Sequence, residues 1–258
     1  MSEKTVLKKK KIKTILVSQP EPTSENSPYI ALAENEKVKI DFRPFIHVEG
    51  ATARDIRKQK INLPEYNAII FTSRNAVDHF FRLAEEMRYT VPNTMRYYCQ
   101  SEAIALYLQR YIVYRKRKIS YGNKTIKDLA NIISKNPDGK FLLPSSDKLK
   151  PEIPKALNEI GIDWKSATFF KTCISDLSDL KDVYYDILVF YSPSGIESLY
   201  HNFPDFKQND TRIAVYGKST IQAAKDKGLR IDIMAPTPET PSMTMALQKY
   251  IREANKGK

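Results

Sequence analysis

The chain has 258 residues, with 42 Lys and Arg against 30 Asp and Glu, a formal net charge of +12, 8 glycines and 2 cysteines. A chain of this length holds one or two domains and buries a core without covalent staples. Cys99 and Cys173 cannot build a disulfide framework or a four-thiolate metal centre, no apolar run approaches the ~20 residues that span a bilayer, and the sparse glycines exclude G-x-G-x-x-G and P-loop cradles.

From the amino terminus, Lys4, Lys8, Lys9, Lys10, Lys11 and Lys13 stand against Glu3, which places five of the twelve excess charges in the first 13 residues. This pattern predicts a solvated, flexible basic arm over residues 1–11. The start Met1-Ser2-Glu3-Lys4 lacks the apolar stretch of a secretory signal, so a cytoplasmic location is expected. Next come apolar runs rich in β-branched and aromatic residues: Ile15–Val17, Ala68–Phe71, Lys140–Leu143, Ile187–Phe190 and Arg212–Val215. They alternate with helix-like segments, the signature of an α/β protein whose parallel strands are covered on both faces.

One stretch mixes charge with rings. Arg110, Arg115, Lys116, Arg117 and Lys118 interleave with Tyr107, Tyr111, Tyr114 and Tyr121. The pattern suits a stacking platform for single-stranded nucleic acid. It equally describes an amphipathic helix edge running into a strand, and nucleic acid is not the expected partner.

The chain also repeats itself. Ile69 through Phe81 aligns without a gap on Leu188 through Tyr200, matching in hydrophobicity and placing Ser73 on Ser192. With the offset changed by one residue, Tyr97 through Ile104 lies against Val215 through Gln222. Two strand-turn-helix units recurring in one order predict two similar α/β domains. In each unit a Ser, Thr or Asn falls where the helix begins, and such residues cap helices whose free N–H groups gather at the carboxyl edge of a parallel sheet. Ser73, Ser101, Ser194 and Ser219 or Thr220 would then line a crevice suited to an anion with several carboxylates or phosphates. Each serine singly is explained by capping; the recurrence is what points to a site.

Other chemistry has little support. His47, His79 and His201 are far apart with no carboxylate at ligand spacing, so no metal is expected, and Cys99 reads as a small buried residue.

The phrases Ile15–Pro20, Ile70–Val77, Leu143–Ser146, Ile153–Leu157, Phe190–Gly195, Ala214–Thr220 and Pro241-Ser242 stand in the order found in the uroporphyrinogen-III synthase family, which this chain resembles over about residues 12–252. The resemblance implies two flavodoxin-like parallel-sheet domains: a discontinuous one of residues 12–39 and 174–258, and a second of residues 46–167. Residues 40–45 and 168–173 would join them as a two-stranded ladder. It implies a lyase of tetrapyrrole (haem) biosynthesis that cyclises hydroxymethylbilane without a cofactor, inverting the last pyrrole ring, as a cytoplasmic monomer. Ser73, Asn75, Ser101, Ser146, Ser192, Ser194, Gly217, Lys218, Ser219 and Thr220 would bind the carboxylates of this linear tetrapyrrole in a cleft between the domains.

The chain departs from the family pattern in four motifs. The tyrosine put forward as proton donor in a Tyr-x-Thr setting is replaced in Phe170-Lys171-Thr172; Gly-x-x-Thr-Ala has become Cys99-Gln100-Ser101-Glu102-Ala103; Gln19 stands for an arginine and Ser146 for a glycine. Either Tyr216, the favoured candidate, or Tyr191 supplies the acid, or the scaffold is kept for binding a linear tetrapyrrole or other polyanion without turnover.

Overall fold

The computed structural model describes residues 11–255, so the expected basic arm lies, Lys11 apart, outside the described residues. In chain order the elements are β1 (Thr14–Val17), α1 (Pro28–Glu36), β2 (Lys39–Phe42), β3 (Ile46–Gly50), α2 (Ala53–Lys58), β4 (Ala68–Phe71), α3 (Arg74–Glu86), β5 (Arg96–Cys99), α4 (Glu102–Tyr107) and β6 (Ile119–Tyr121). They continue with α5 (Ile126–Ile133), β7 (Lys140–Ser146), α6 (Glu152–Glu159), β8 (Asp163–Ile174), β9 (Ile187–Phe190), α7 (Pro193–Asn202), β10 (Arg212–Tyr216), α8 (Lys218–Asp226), β11 (Ile231–Ala235) and α9 (Met243–Asn255). The chain divides into two units, one made of the residues up to His47 and from Cys173 onward, the other of Val48–Thr172.

The first unit holds a five-stranded sheet in the order β11-β10-β9-β1-β2, with parallel pairing throughout. Because successive side chains of a strand point to opposite faces, its apolar strands feed two cores. Ile15, Val17, Ile187, Val189 and Ala214 pack with Leu247 and Ile251 of α9. Leu16, Leu188, Phe190, Ile213 and Val215 pack on the other face with Ile196 and Leu199 of α7 and Ala224 of α8. At the amino end of this sheet the buried Asp186 accepts from the N–H groups of Lys13 and Thr14 at 2.8 and 3.0 Å, which fixes β1 against β9.

The second unit holds a six-stranded sheet in the order β3-β8-β7-β4-β5-β6. Again the alternation feeds both faces: Ile69 and Phe71 of β4 join Phe80 of α3 and Tyr97 of β5, while Ala68 and Ile70 join Leu129 of α5 and Leu157 of α6.

The ladder expected from residues 40–45 and 168–173 is not the pairing found. Residues 39–42 form β2, in parallel register with β1 from Thr14 opposite Lys39 to Val17 opposite Phe42. Ile40 and Phe42 pack on the core shared with α1 and α9, which commits this strand to the five-stranded sheet. Residues 168–173 lie in β8, whose neighbours are β3 and β7.

Candidate active site

The carboxyl edge of the five-stranded sheet carries three tyrosines. β9 and β10 are adjacent and end in step, Val215 opposite Phe190, so the next residues, Tyr191 and Tyr216, stand side by side with ring centroids 5.5 Å apart. A third comes from α1. Ser27 caps that helix, its Oγ accepting from the Tyr29 N–H, and Pro28 with its fixed φ opens it, placing Tyr29 in the first turn. The Tyr29 and Tyr191 hydroxyls are 2.5 Å apart, a direct hydrogen bond, and the Tyr29 ring meets Phe42 edge-on at 5.4 Å. Burial raises the pKa of Tyr29 and of Tyr191 above the ordinary phenol value; their shared hydrogen bond lifts Tyr29 further and pulls Tyr191 back. Both are therefore neutral phenols near pH 7.

Two helices start beside these rings. Ser192 caps α7, accepting from the Gly195 N–H at 3.2 Å, and Gly195 lies next to the hydroxyl of Ser18. Gly217 stands before α8 with φ +85°, a backbone conformation that suits glycine alone, and it has no side chain with which to cap. No side chain caps the first turn of α8, and Lys218 and Ser219 are exposed at the positive end of the helix dipole. Ser194 and Ser219 sit in the second helical position, inside the first turn and not at the cap. Thr220 differs from expectation more sharply: it is 1% exposed, and its buried hydroxyl has no partner among the described residues. As the third helical residue it turns toward the packed side of α8.

The second unit repeats part of this arrangement. Ser73 caps α3 by accepting from the Ala76 N–H at 3.1 Å, with Asn75 exposed in the first turn. Ser101 precedes α4 but makes no capping bond, and Ser146, at the end of β7, donates to the Lys148 carbonyl at 3.2 Å. Glu102 accepts a hydrogen bond from Tyr121 at 3.2 Å. Cys99 is fully buried, and burial pushes its thiol up to about 12, which removes it as a nucleophile. Phe170, where a proton donor was sought, is buried and stacked on His79 with centroids 5.2 Å apart.

Two tyrosines of the basic stripe are committed within this unit. Tyr107 and Tyr111 both donate to Asp78, at 3.0 and 2.6 Å, and the Tyr111 ring stacks on Phe81 at 4.6 Å. These two residues of the stripe are thus tied to α3, while Tyr121 stays exposed with its hydroxyl on Glu102. Neither described cavity is lined by the expected serines: one of about 710 Å³ in the first unit involves Leu16, Phe45, Tyr185, Leu188 and Phe203, and one of about 490 Å³ in the second involves Asp55, Lys58, Asp147 and Lys171.

A family model described as uroporphyrinogen-III synthase HemD matches residues 27–245. The chain belongs to the uroporphyrinogen-III synthase family. It is 26% identical over 143 residues to uroporphyrinogen-III synthase of Saccharomyces cerevisiae, an alignment covering 49% of this chain and 51% of that protein, so it spans about half the length of the curated relative it matches. Among solved structures it is similar to uroporphyrinogen-III synthetase from Helicobacter pylori, with a TM-score of 0.61 and 19% identity over 94% of this chain and all of that one. A mutant uroporphyrinogen III synthase from the extremely thermophilic bacterium Thermus thermophilus gives a TM-score of 0.57 and 15% identity over 95% of this chain and all of that one. These structures share the fold: α/β, with two sheets dominated by parallel strands.

Sequence reasoning missed Tyr29. Its signal is the phrase Ser27-Pro28-Tyr29, a cap, an opening proline and an aromatic residue in the first turn, which lies outside the internal repeat. Among the described residues no helix is long and apolar enough to cross a membrane.

Proposed function

We propose that this protein is a uroporphyrinogen-III synthase, closing hydroxymethylbilane to uroporphyrinogen III with inversion of the last pyrrole ring and no cofactor. The observation that carries the reading is the sheet edge where Tyr191 and Tyr216 stand beside the starts of α7 and α8, in a chain of this family. The task fits those groups. Loss of the terminal hydroxyl gives an electrophilic azafulvene that closes unaided to the symmetrical type I isomer, so the protein must hold the substrate in a folded conformation more than it must supply strong acids or bases. Exposed N–H groups at the start of α8, with Lys218 and Ser219, offer carboxylate contacts, as do Ser192 and Ser194 at the start of α7. Ser73, Asn75, Ser101 and Ser146 are the corresponding polar contacts in the second unit.

Phe170 has no proton to give, and a neutral tyrosine on the edge of the five-stranded sheet supplies the acid in its place. This favours turnover over a scaffold kept for binding alone. Action as a cytoplasmic monomer belongs to the same reading, supported by the hydrophilic composition. Purified protein given hydroxymethylbilane is expected to release the type III isomer; tight binding of the bilane with only spontaneous type I product would instead select the non-catalytic binding protein.

A further inference from the structure

We infer that Tyr29 and Tyr191 work as one proton-donating pair, in which Tyr191 delivers its proton to the departing hydroxyl of the bilane and Tyr29 holds the phenolate left behind. The inference rests on the synthase reading above and names the group that performs its acid step.

Three features of the first unit carry it. The two hydroxyls are 2.5 Å apart, so one donates and the other accepts. Their surroundings decide which. Tyr29 is fixed on both sides, by the capped first turn of α1 behind it and by Phe42 edge-on at 5.4 Å, whereas Tyr191 is the first residue beyond β9, on the edge where α7 begins. Tyr29 therefore keeps its proton and points it at Tyr191, and the Tyr191 proton is free to turn toward a ligand at that edge. Finally, the Tyr216 ring lies against Tyr191 at 5.5 Å and limits its rotation.

The step balances without an added reagent. The bond between the hydroxymethyl carbon and its oxygen breaks, the electron pair leaves with the oxygen, and the Tyr191 proton joins it to make water. The lone pair of the adjacent pyrrole nitrogen compensates the carbon. A proton released when the closed macrocycle regains its aromatic rings returns to the Tyr191 phenolate, so the net change is loss of one water. A phenolate accepting from a neighbouring phenol holds a charge-assisted bond, the stronger kind. Tyr29 acts through Tyr191 and is a positioning residue, while Tyr191 is the catalytic one.

The test compares type III formation by wild type, Tyr29→Phe, Tyr191→Phe, Tyr216→Phe and the double variant. Each substitution keeps the ring, and thermal melting monitors the fold. Tyr191→Phe is expected to lower kcat about 100-fold or more, and Tyr29→Phe roughly 10- to 100-fold, in line with loss of one hydrogen bond to a charged group. KM stays near the wild-type value in both. Because the two hydroxyls act as a unit, the double variant is expected to be no slower than Tyr191→Phe alone, and Tyr216→Phe loses less than Tyr191→Phe. The pair is overturned if Tyr29→Phe keeps wild-type kcat, if the two losses multiply, or if Tyr216→Phe shows the larger loss. Wild-type protein that makes no type III isomer would overturn the synthase reading and the pair with it.

Discussion

At the scale of single residues, the same side chain does different work according to where its helix begins. Ser73 and Ser192 share extended backbone angles, φ −154° and −148°, and both cap the helix that follows. The gapless alignment of Ile69–Phe81 with Leu188–Tyr200 therefore reports a true structural repeat. The second alignment does not hold at the same level: Ser101 falls on Ser219, yet the residue before α8 is Gly217, two positions earlier. A glycine that adopts a positive φ cannot be recognised by matching serine to serine. His79 shows a burial effect that can be measured. Burial, with Arg82 beside it, lowers its pKa below the ordinary 6.5, and Arg82 donates to its Nδ1 at 3.4 Å, which requires the neutral ring. The unfolded chain thus takes up the proton first as pH falls. Stability is expected to be insensitive to His79 above about pH 7 and to decline as pH drops through 6.5 toward the lower folded value. Thermal melting between neutral and mildly acidic pH should show a smaller decline for His79→Gln; equal declines would contradict the assignment.

At the scale of elements, the strands buried on both faces were legible because each is a continuous apolar run, and Ala68–Phe71 and Ile187–Phe190 appear with the bounds read from the sequence. Of the two strands that carry the chain from one unit to the other, β8 was expected over residues 168–173 and β3 was not. Ile46–Gly50 has no fully buried residue, so its sequence, Ile-His-Val-Glu-Gly, has no apolar run to announce it. The resemblance placed residues 40–45 in the ladder; Ile40 and Phe42 alternate with polar residues there, and nothing in that pattern names the partner. Helix α1 hides Tyr29 in the same way, since Leu32 is its one buried residue. Two substitutions probe the two ends of the five-stranded sheet. Gly217→Ala places a Cβ in open space but on a left-handed backbone, and is expected to cost about 1–2 kcal/mol in urea denaturation. Asp186→Ala leaves the N–H groups of Lys13 and Thr14 without their carboxylate and is expected to cost about 2–4 kcal/mol by the same measurement. No change in either case would show that these local arguments have the wrong weight.

At the scale of the whole molecule, the +12 charge invited a nucleic-acid partner, and the structure redirects it. The rings that looked available for stacking in the basic stripe include Tyr107 and Tyr111, whose hydroxyls are held by Asp78. The proposed reading places the anion instead at the starts of α7 and α8 with the exposed Lys218. A polycarboxylate fits such a surface through many weak, directed contacts, and so does the positional control that the type III product demands. The fold and family follow from patterns spread along the chain, which survive the loss of any one motif; a proton donor is a single residue, which is why Phe170 leaves it open in the sequence. The most direct measurement is the isomer ratio of uroporphyrinogen formed from a fixed supply of hydroxymethylbilane as purified protein is increased. The expected result is a product that shifts from type I to almost wholly type III. Type I alone, forming at the spontaneous rate at every protein concentration, would contradict the account.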